Sequence, residues 1–184
     1  MRRSLLFYGL CAAALWSIAP VSSIAAPTHP SGPPAEAMVM LVPPTPAPET
    51  SFVLAGGAAA TLGDYAGRVV VLNFWASWCA PCVRELPSLD RLAGQLPADR
   101  FVVLALSNDR DGVKVAGPFL EKLGVVRLKP HLDPKSALAR SLGLRGLPTT
   151  FVIDAEGRVV AKLEGVAEWD SPEFVAWLKG IANQ

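Results

Sequence analysis

Cysteine and histidine are scarce in this 184-residue chain, which has three of the first and two of the second. Cys11 lies in an apolar N-terminal stretch, so the part of the chain able to fold has only Cys79 and Cys82. A single pair of thiols cannot make the multi-bridge scaffold of a small secreted domain. His29 lies in a proline-rich stretch, which leaves His131 as the one imidazole beside the two thiols in the part able to fold; a four-ligand zinc centre is therefore short of donors, and no metal or other cofactor is expected. Basic residues are scarcely in excess, 17 against 16 acidic, and Lys and Arg nowhere form a run of five. Nucleic acid is therefore excluded as a partner. No internal repeat is visible.

What is present divides the chain into three parts. Arg2 and Arg3 precede an apolar stretch from Leu5 to Ala19, and a small-residue segment, Ser22-Ser23-Ile24-Ala25-Ala26, closes it. Residues 1–26 thus read as a secretory signal cut after Ala25 or Ala26, or as an uncleaved anchor that tethers the chain to a membrane through residues 5–26. Either reading puts the rest of the chain outside the cytoplasm. Residues 27–50 hold eight prolines (Pro27, Pro30, Pro33, Pro34, Pro43, Pro44, Pro46 and Pro48) and few large apolar side chains, the pattern of an extended spacer. Met38 and Met40 supply two thioethers without a third ligand, too few for a soft metal site.

A folded domain is expected over 51–184. Phe52-Val53-Leu54, Gly56-Gly57 and Ala60-Thr61-Leu62 predict a short hairpin. Val69 to Trp75 is an apolar run suited to a strand buried on both faces, and Phe101 to Ser107 is a second. Helices are predicted over 80–94, kinked at Pro87, over 112–122, disturbed by Pro118, and over 135–141. Thr149 to Ile153 and Arg158 to Leu163 flank a Glu156-Gly157 turn. Asp170-Ser171-Pro172-Glu173 starts a last helix, with Asp170 as the capping acid and the proline in place, and Phe174, Trp177, Leu178 and Ile181 share one face. Strands alternating with helices and ending in a hairpin plus helix predict an α/β fold in three layers. His131, before Asp133-Pro134, reads as a solvated loop residue without a role.

The chemistry is concentrated in Trp78-Cys79-Ala80-Pro81-Cys82, delivered by the Val69–Trp75 strand to the first turn of a helix. Free backbone N–H groups and the positive end of the helix dipole stabilise a thiolate at Cys79. Cys82 follows one turn later, within disulfide reach. Pro81 is tolerated there, because the first turn needs no intrahelical donor.

The segment Gly67 to Pro87, with its Trp-Cys-Ala-Pro-Cys core and Val83-Arg84-Glu85 beyond, resembles the signature of the TlpA/ResA-type thiol–disulfide oxidoreductases of the bacterial cell envelope. Gly146-Leu147-Pro148-Thr149-Thr150-Phe151-Val152-Ile153-Asp154, followed by Glu156-Gly157, resembles the second signature of that family. The likeness covers roughly residues 50–182. It implies a thioredoxin-like fold, with a central mixed sheet, helices on both faces and an N-terminal β-hairpin. It also implies that Cys79 is the nucleophile that forms a mixed disulfide with a partner protein, and that Cys82 resolves it. Pro148 is expected in cis, facing the dithiol, so that Leu147 offers its backbone to an extended substrate chain. Trp78, Ala80, Pro81 and Leu147 are the expected substrate contacts, with Trp78 covering one side of the thiolate and Trp75 packed beneath.

Cytosolic thioredoxins carry a buried aspartate where Asn73 stands. Glu85, three residues beyond Cys82, is expected to take over the proton of the inner thiol, with burial raising its pKa toward working pH. The implied activity is a periplasmic thiol–disulfide oxidoreductase that reduces specific proteins in cytochrome c or cytochrome oxidase assembly. Its partners would be disulfide-containing periplasmic proteins and a membrane thiol donor that re-reduces the pair. The alternatives are a disulfide-forming oxidant and a Cu(I) chaperone that uses the same two thiolates. A peroxidase would need threonine and proline before its cysteine, where Ser77-Trp78 stand.

Overall fold

A computed structural model describes residues 38–183. The signal or anchor expected over 1–26, with the first part of the spacer, lies outside the described residues. Eight strands form one sheet: β1 (Met38–Pro46), β2 (Phe52–Val53), β3 (Ala59–Ala60), β4 (Val69–Trp75), β5 (Phe101–Ser107), β6 (His131–Leu132), β7 (Thr149–Ile153) and β8 (Arg158–Glu164). Their spatial order is β1-β8-β7-β4-β5-β6-β2-β3. The sheet is mixed. β4 runs parallel to β5, and β5 to β6, whereas β7 is antiparallel to both β4 and β8. Among the described residues, four α-helices and one 3-10 turn (Leu62–Tyr65) complete the fold: α1 (Ala80–Gln95), α2 (Val113–Lys122), α3 (Ala137–Ser141) and α4 (Pro172–Ile181).

Every residue of β4 is buried, as its apolar run requires. Side chains alternate across the sheet, so Val69, Val71 and Trp75 join a core with residues of α1, α2 and α4. Val70, Leu72 and Phe74 join a second core on the other face, with Leu138 and Ala139 of α3. Asn73 has the parity of Trp75 and so faces the α1 side. The expected three layers are present. Gly157 closes the β7–β8 turn at φ +77°, donating to Asp154 O at 3.0 Å, a backbone conformation that side chains with a Cβ rarely adopt.

Helix ends follow local chemistry. Cys79 caps α1, which runs through Pro87 and stops at Leu96, ahead of Pro97. Ser171, rather than Asp170, is the cap of α4: its hydroxyl accepts from Phe174 N at 3.3 Å, with Pro172 next. Asp170 is instead bound to Arg91.

Two expectations need correction. The spacer assigned to 27–50 contains β1, which pairs with β8 through Met38, Val39 and Met40 and again through Thr45 and Pro46, and which buries Met38. Proline is compatible with such a strand because an edge needs hydrogen bonds on one side, and the register shifts where Pro43 and Pro44 intervene. The hairpin β2–β3 exists with its Gly57 N to Leu54 O bond of 2.8 Å, but it lies at the edge opposite β1 and is preceded by it. His131 is in strand β6 rather than a solvated loop; its Nδ1 accepts from Ala55 N at 3.1 Å and its ring meets Phe52 edge-on. Burial, aided by the charge of Lys129, holds its pKa below the usual histidine value. Among the described residues, no helix is long and apolar enough to cross a membrane.

Candidate active site

The sheet brings the two sequence signatures together at the C-terminal end of β4. Phe74 pairs with Thr149 and Asn73 with Thr150, so the same register puts Pro148 opposite Trp75. Cys79 and Cys82 are joined by a disulfide, with Cα atoms 5.3 Å apart. Cys79, at the cap of α1, is 6 % exposed, and Cys82 is fully buried beneath it. The Cys79 sulfur accepts from Cys82 N at 3.3 Å, and the first turn of α1 has no acidic residue to oppose negative charge there. When the pair is reduced, the same N–H and the same helix end favour a thiolate at Cys79.

Trp78, next to Cys79 in the chain, stands 72 % exposed. It borders a cavity of about 480 Å³ that also takes in Ser77, Asn108, Asp109, Arg110, Asp111 and Val115. Trp75 lies fully buried below, its ring 6.0 Å from Phe119. The peptide between Leu147 and Pro148 is cis, and Pro148 O accepts from Gly165 N at 3.0 Å. Ala80 is exposed at the start of α1, whereas Pro81 and Leu147 are half-buried.

Glu85 is 3 % exposed. Asn73 Nδ2 donates to its Oε1 at 2.8 Å, and Trp169 Nε1 donates to its Oε2 at 2.9 Å. Burial raises its pKa from 4.5 to about 7, and the bonds from Trp169, Asn73 and the Ala167 backbone restrain the rise. Asn73 also donates to Thr150 Oγ1 at 2.9 Å, and its Oδ1 has no hydrogen-bond partner among the described residues. Asn73, which cannot itself carry a proton, therefore has a different place: it is a donor to the carboxylate of Glu85.

A matching model of the Redoxin family spans residues 44–178. The chain belongs to the Redoxin family. Within it the chain is of the TlpA/ResA thioredoxin-like type, and its Cys79–Cys82 pair makes it a thiol–disulfide oxidoreductase. It is similar to the thiol-disulfide oxidoreductase ResA of Bacillus anthracis, 30% identical over 125 residues, which cover 68% of this chain and 70% of that protein. Among solved structures, the thiol:disulfide interchange protein DsbE from Chlorobium tepidum matches with a TM-score of 0.66 at 29% identity, over 76% of this chain and 96% of that one. The exposed lipoprotein thioredoxin of Streptococcus pneumoniae matches at 0.60 and 31%, over 72% and 99%.

Two features of this Redoxin site escape the sequence. Asp109 is buried and accepts from Ser77 N at 3.0 Å, Ser77 Oγ at 2.8 Å and Ser107 Oγ at 2.8 Å, which anchors the loop that leads to Cys79. Trp169, between β8 and α4, reaches Glu85 across a separation of 84 residues. Its one sequence signal is an aromatic just before a helix start, which core packing explains equally well.

Proposed function

We propose that this protein is a reductant of protein disulfides in the periplasm, working in cytochrome c or cytochrome oxidase assembly, with Cys79 as nucleophile, Cys82 as resolving thiol and Glu85 as proton acceptor. The observation that carries the reading is the succession of three buried groups along α1: Cys79 at its cap, Cys82 in its first turn, and Glu85 three residues further on, bonded to neutral donors. Cys79 thiolate attacks a substrate disulfide, forming one S–S bond and releasing one substrate thiolate. Cys82 then passes its proton to Glu85 and attacks Cys79 Sγ. The Cys79–Cys82 bond forms, the mixed disulfide breaks, and the substrate leaves with two electrons. A carboxyl group with a pKa of about 7 can accept that proton and release it again near neutral pH.

In this reading Trp78, Ala80, Pro81, Leu147 and Pro148 form the substrate-facing rim, and a membrane thiol donor restores the dithiol. The exported location rests on the leader-like residues 1–26, which either leave as a signal or stay as a tether. N-terminal sequencing of the protein recovered from the envelope separates those two forms.

The direction of electron flow is tested by equilibrating the protein in defined glutathione buffers and counting free thiols. A potential near about −270 mV fits a reductant, whereas one near about −120 mV makes it a disulfide-forming catalyst.

A further inference from the structure

The segment between β8 and α4 is fastened to α1 at three points. Trp169 is fully buried, and its indole N–H donates to Glu85 Oε2 at 2.9 Å. Its backbone N–H reaches Ser88 Oγ at 3.4 Å, and Ser88 in turn donates to Glu85 O at 2.8 Å. On the outside, Arg91 binds both neighbours of Trp169: Asp170 through two bonds of 2.6 and 3.1 Å, and Glu168 at 3.1 Å. The indole ring is braced edge-on by Phe174, 4.7 Å away. One side chain is thus held by its backbone, its ring and both flanking residues, and its single polar atom points at the carboxylate.

We propose that Trp169 is a positioning residue for the dithiol reaction, its indole N–H orienting the Glu85 carboxylate as the acceptor of the Cys82 proton. The inference rests on the proton-acceptor reading of Glu85. An indole N–H can only donate, so it serves an ionised oxygen better than a protonated one. Burial alone would push the acid further toward its neutral form, in which it could not take a proton. The other groups facing the carboxylate are neutral: Asn73 from β4, itself bonded to Thr150 of β7, and the backbone of Ala167 from the same segment as Trp169. Within α1, Cys82 precedes it by three residues. The charged Arg91, Glu168 and Asp170 form their cluster with one another on the outside of the segment.

The test is the pH profile of protein-disulfide reduction by the purified chain, together with Trp169→Phe, Glu85→Gln, the double variant, and Trp177→Phe as a control for lost aromatic packing near Phe174. The parent should show an inflection near pH 7, the value at which Glu85 ionises. Trp169→Phe should move it upward by about one pH unit, the effect of losing one charge-assisted hydrogen bond, with the rate recovering at higher pH. Glu85→Gln should lose the inflection, the double variant should match Glu85→Gln, and Trp177→Phe should keep the parent midpoint.

Loss of the inflection in Glu85→Gln combined with a parental midpoint in Trp169→Phe overturns the role of Trp169 and leaves that of Glu85 standing. A parental inflection in Glu85→Gln overturns the proton-acceptor reading, and the inference with it. A measurement on the unaltered protein guards against misfolding of Trp169→Phe. The indole N–H resonance of Trp169 should titrate with the midpoint of Glu85, and a resonance that does not move between pH 5 and 9 refutes the proposal.

Discussion

The two halves of α1 each bury a carboxylate, and the two are built for different work. Toward the C-terminal half, Asp90 Oδ1 accepts backbone N–H groups from Val126, Arg127 and Leu128 at 3.2, 2.6 and 3.0 Å, and Arg127 approaches its Oδ2 at 3.4 Å. This is a staple: one charged acceptor ties the loop after α2 to the helix. Toward the N-terminal half, Glu85 meets side-chain donors and no cation, and its pKa climbs to about 7. Burial is similar at the two sites. The partners differ: at Asp90 they are backbone N–H groups of one loop, at Glu85 they include the side chains of Asn73 and Trp169.

The contrast can be broken most forcefully at the sulfur end. Cys79→Ser should lower protein-disulfide reduction by at least about a thousandfold, with little change in thermal stability relative to the reduced parent, because it removes the proposed nucleophile and nearly keeps the side chain's size. Assaying insulin reduction beside a melting curve checks both halves of that statement.

Glu85→Gln comes next. Between pH 4.5 and about 7 the folded chain holds a Glu85 proton that the unfolded chain has released. Stability of the parent therefore falls as pH rises through that window, by on the order of 3 kcal/mol from this one group. Denaturant titrations at pH 5 and pH 8 should show Glu85→Gln gaining stability relative to the parent by about that amount. An equal difference at the two pH values would refute the raised proton affinity of Glu85.

Asp90→Ala should cost about 2 kcal/mol, since three backbone donors lose a charged acceptor and recover only part of it from water. Dithiol chemistry should persist in the folded fraction. If activity fell while the melting temperature held, the division between the two halves of the helix would be wrong. The smallest effect is expected from Arg91→Ala. Its guanidinium is exposed, so the melting temperature should move little, and high salt should shrink what difference there is.

Much of the domain was legible from local pattern. β5 and β7 run over the expected residues, β4 fills its apolar run, α1 begins at the expected Cys79-Ala80 junction, and α4 begins within the expected segment Asp170–Glu173. The failures share a cause. Pro43, Pro44 and Pro46 argued for a spacer, but an edge strand tolerates proline, and only the presence of β8 alongside makes residues 38–46 a strand. His131 looked solvated until β6 placed it against Ala55 and Phe52. Asp170 looked like a helix cap until Arg91, 79 residues earlier, offered a stronger partner.

The sequence by itself determined the redox pair, its place on the first turn of a helix and the strand that delivers it, because these depend on neighbours within a few residues. It also marked Glu85, through its spacing from Cys82. Only the tertiary structure decided what Glu85 is. Its proton affinity is set by burial and by donors 12 residues before it and 84 after it, and no local pattern encodes which side chains will meet across so long a loop. Hydrophobic periodicity fixes which way an element faces, whereas the choice of hydrogen-bond partners inside the core depends on the packing of all the elements at once.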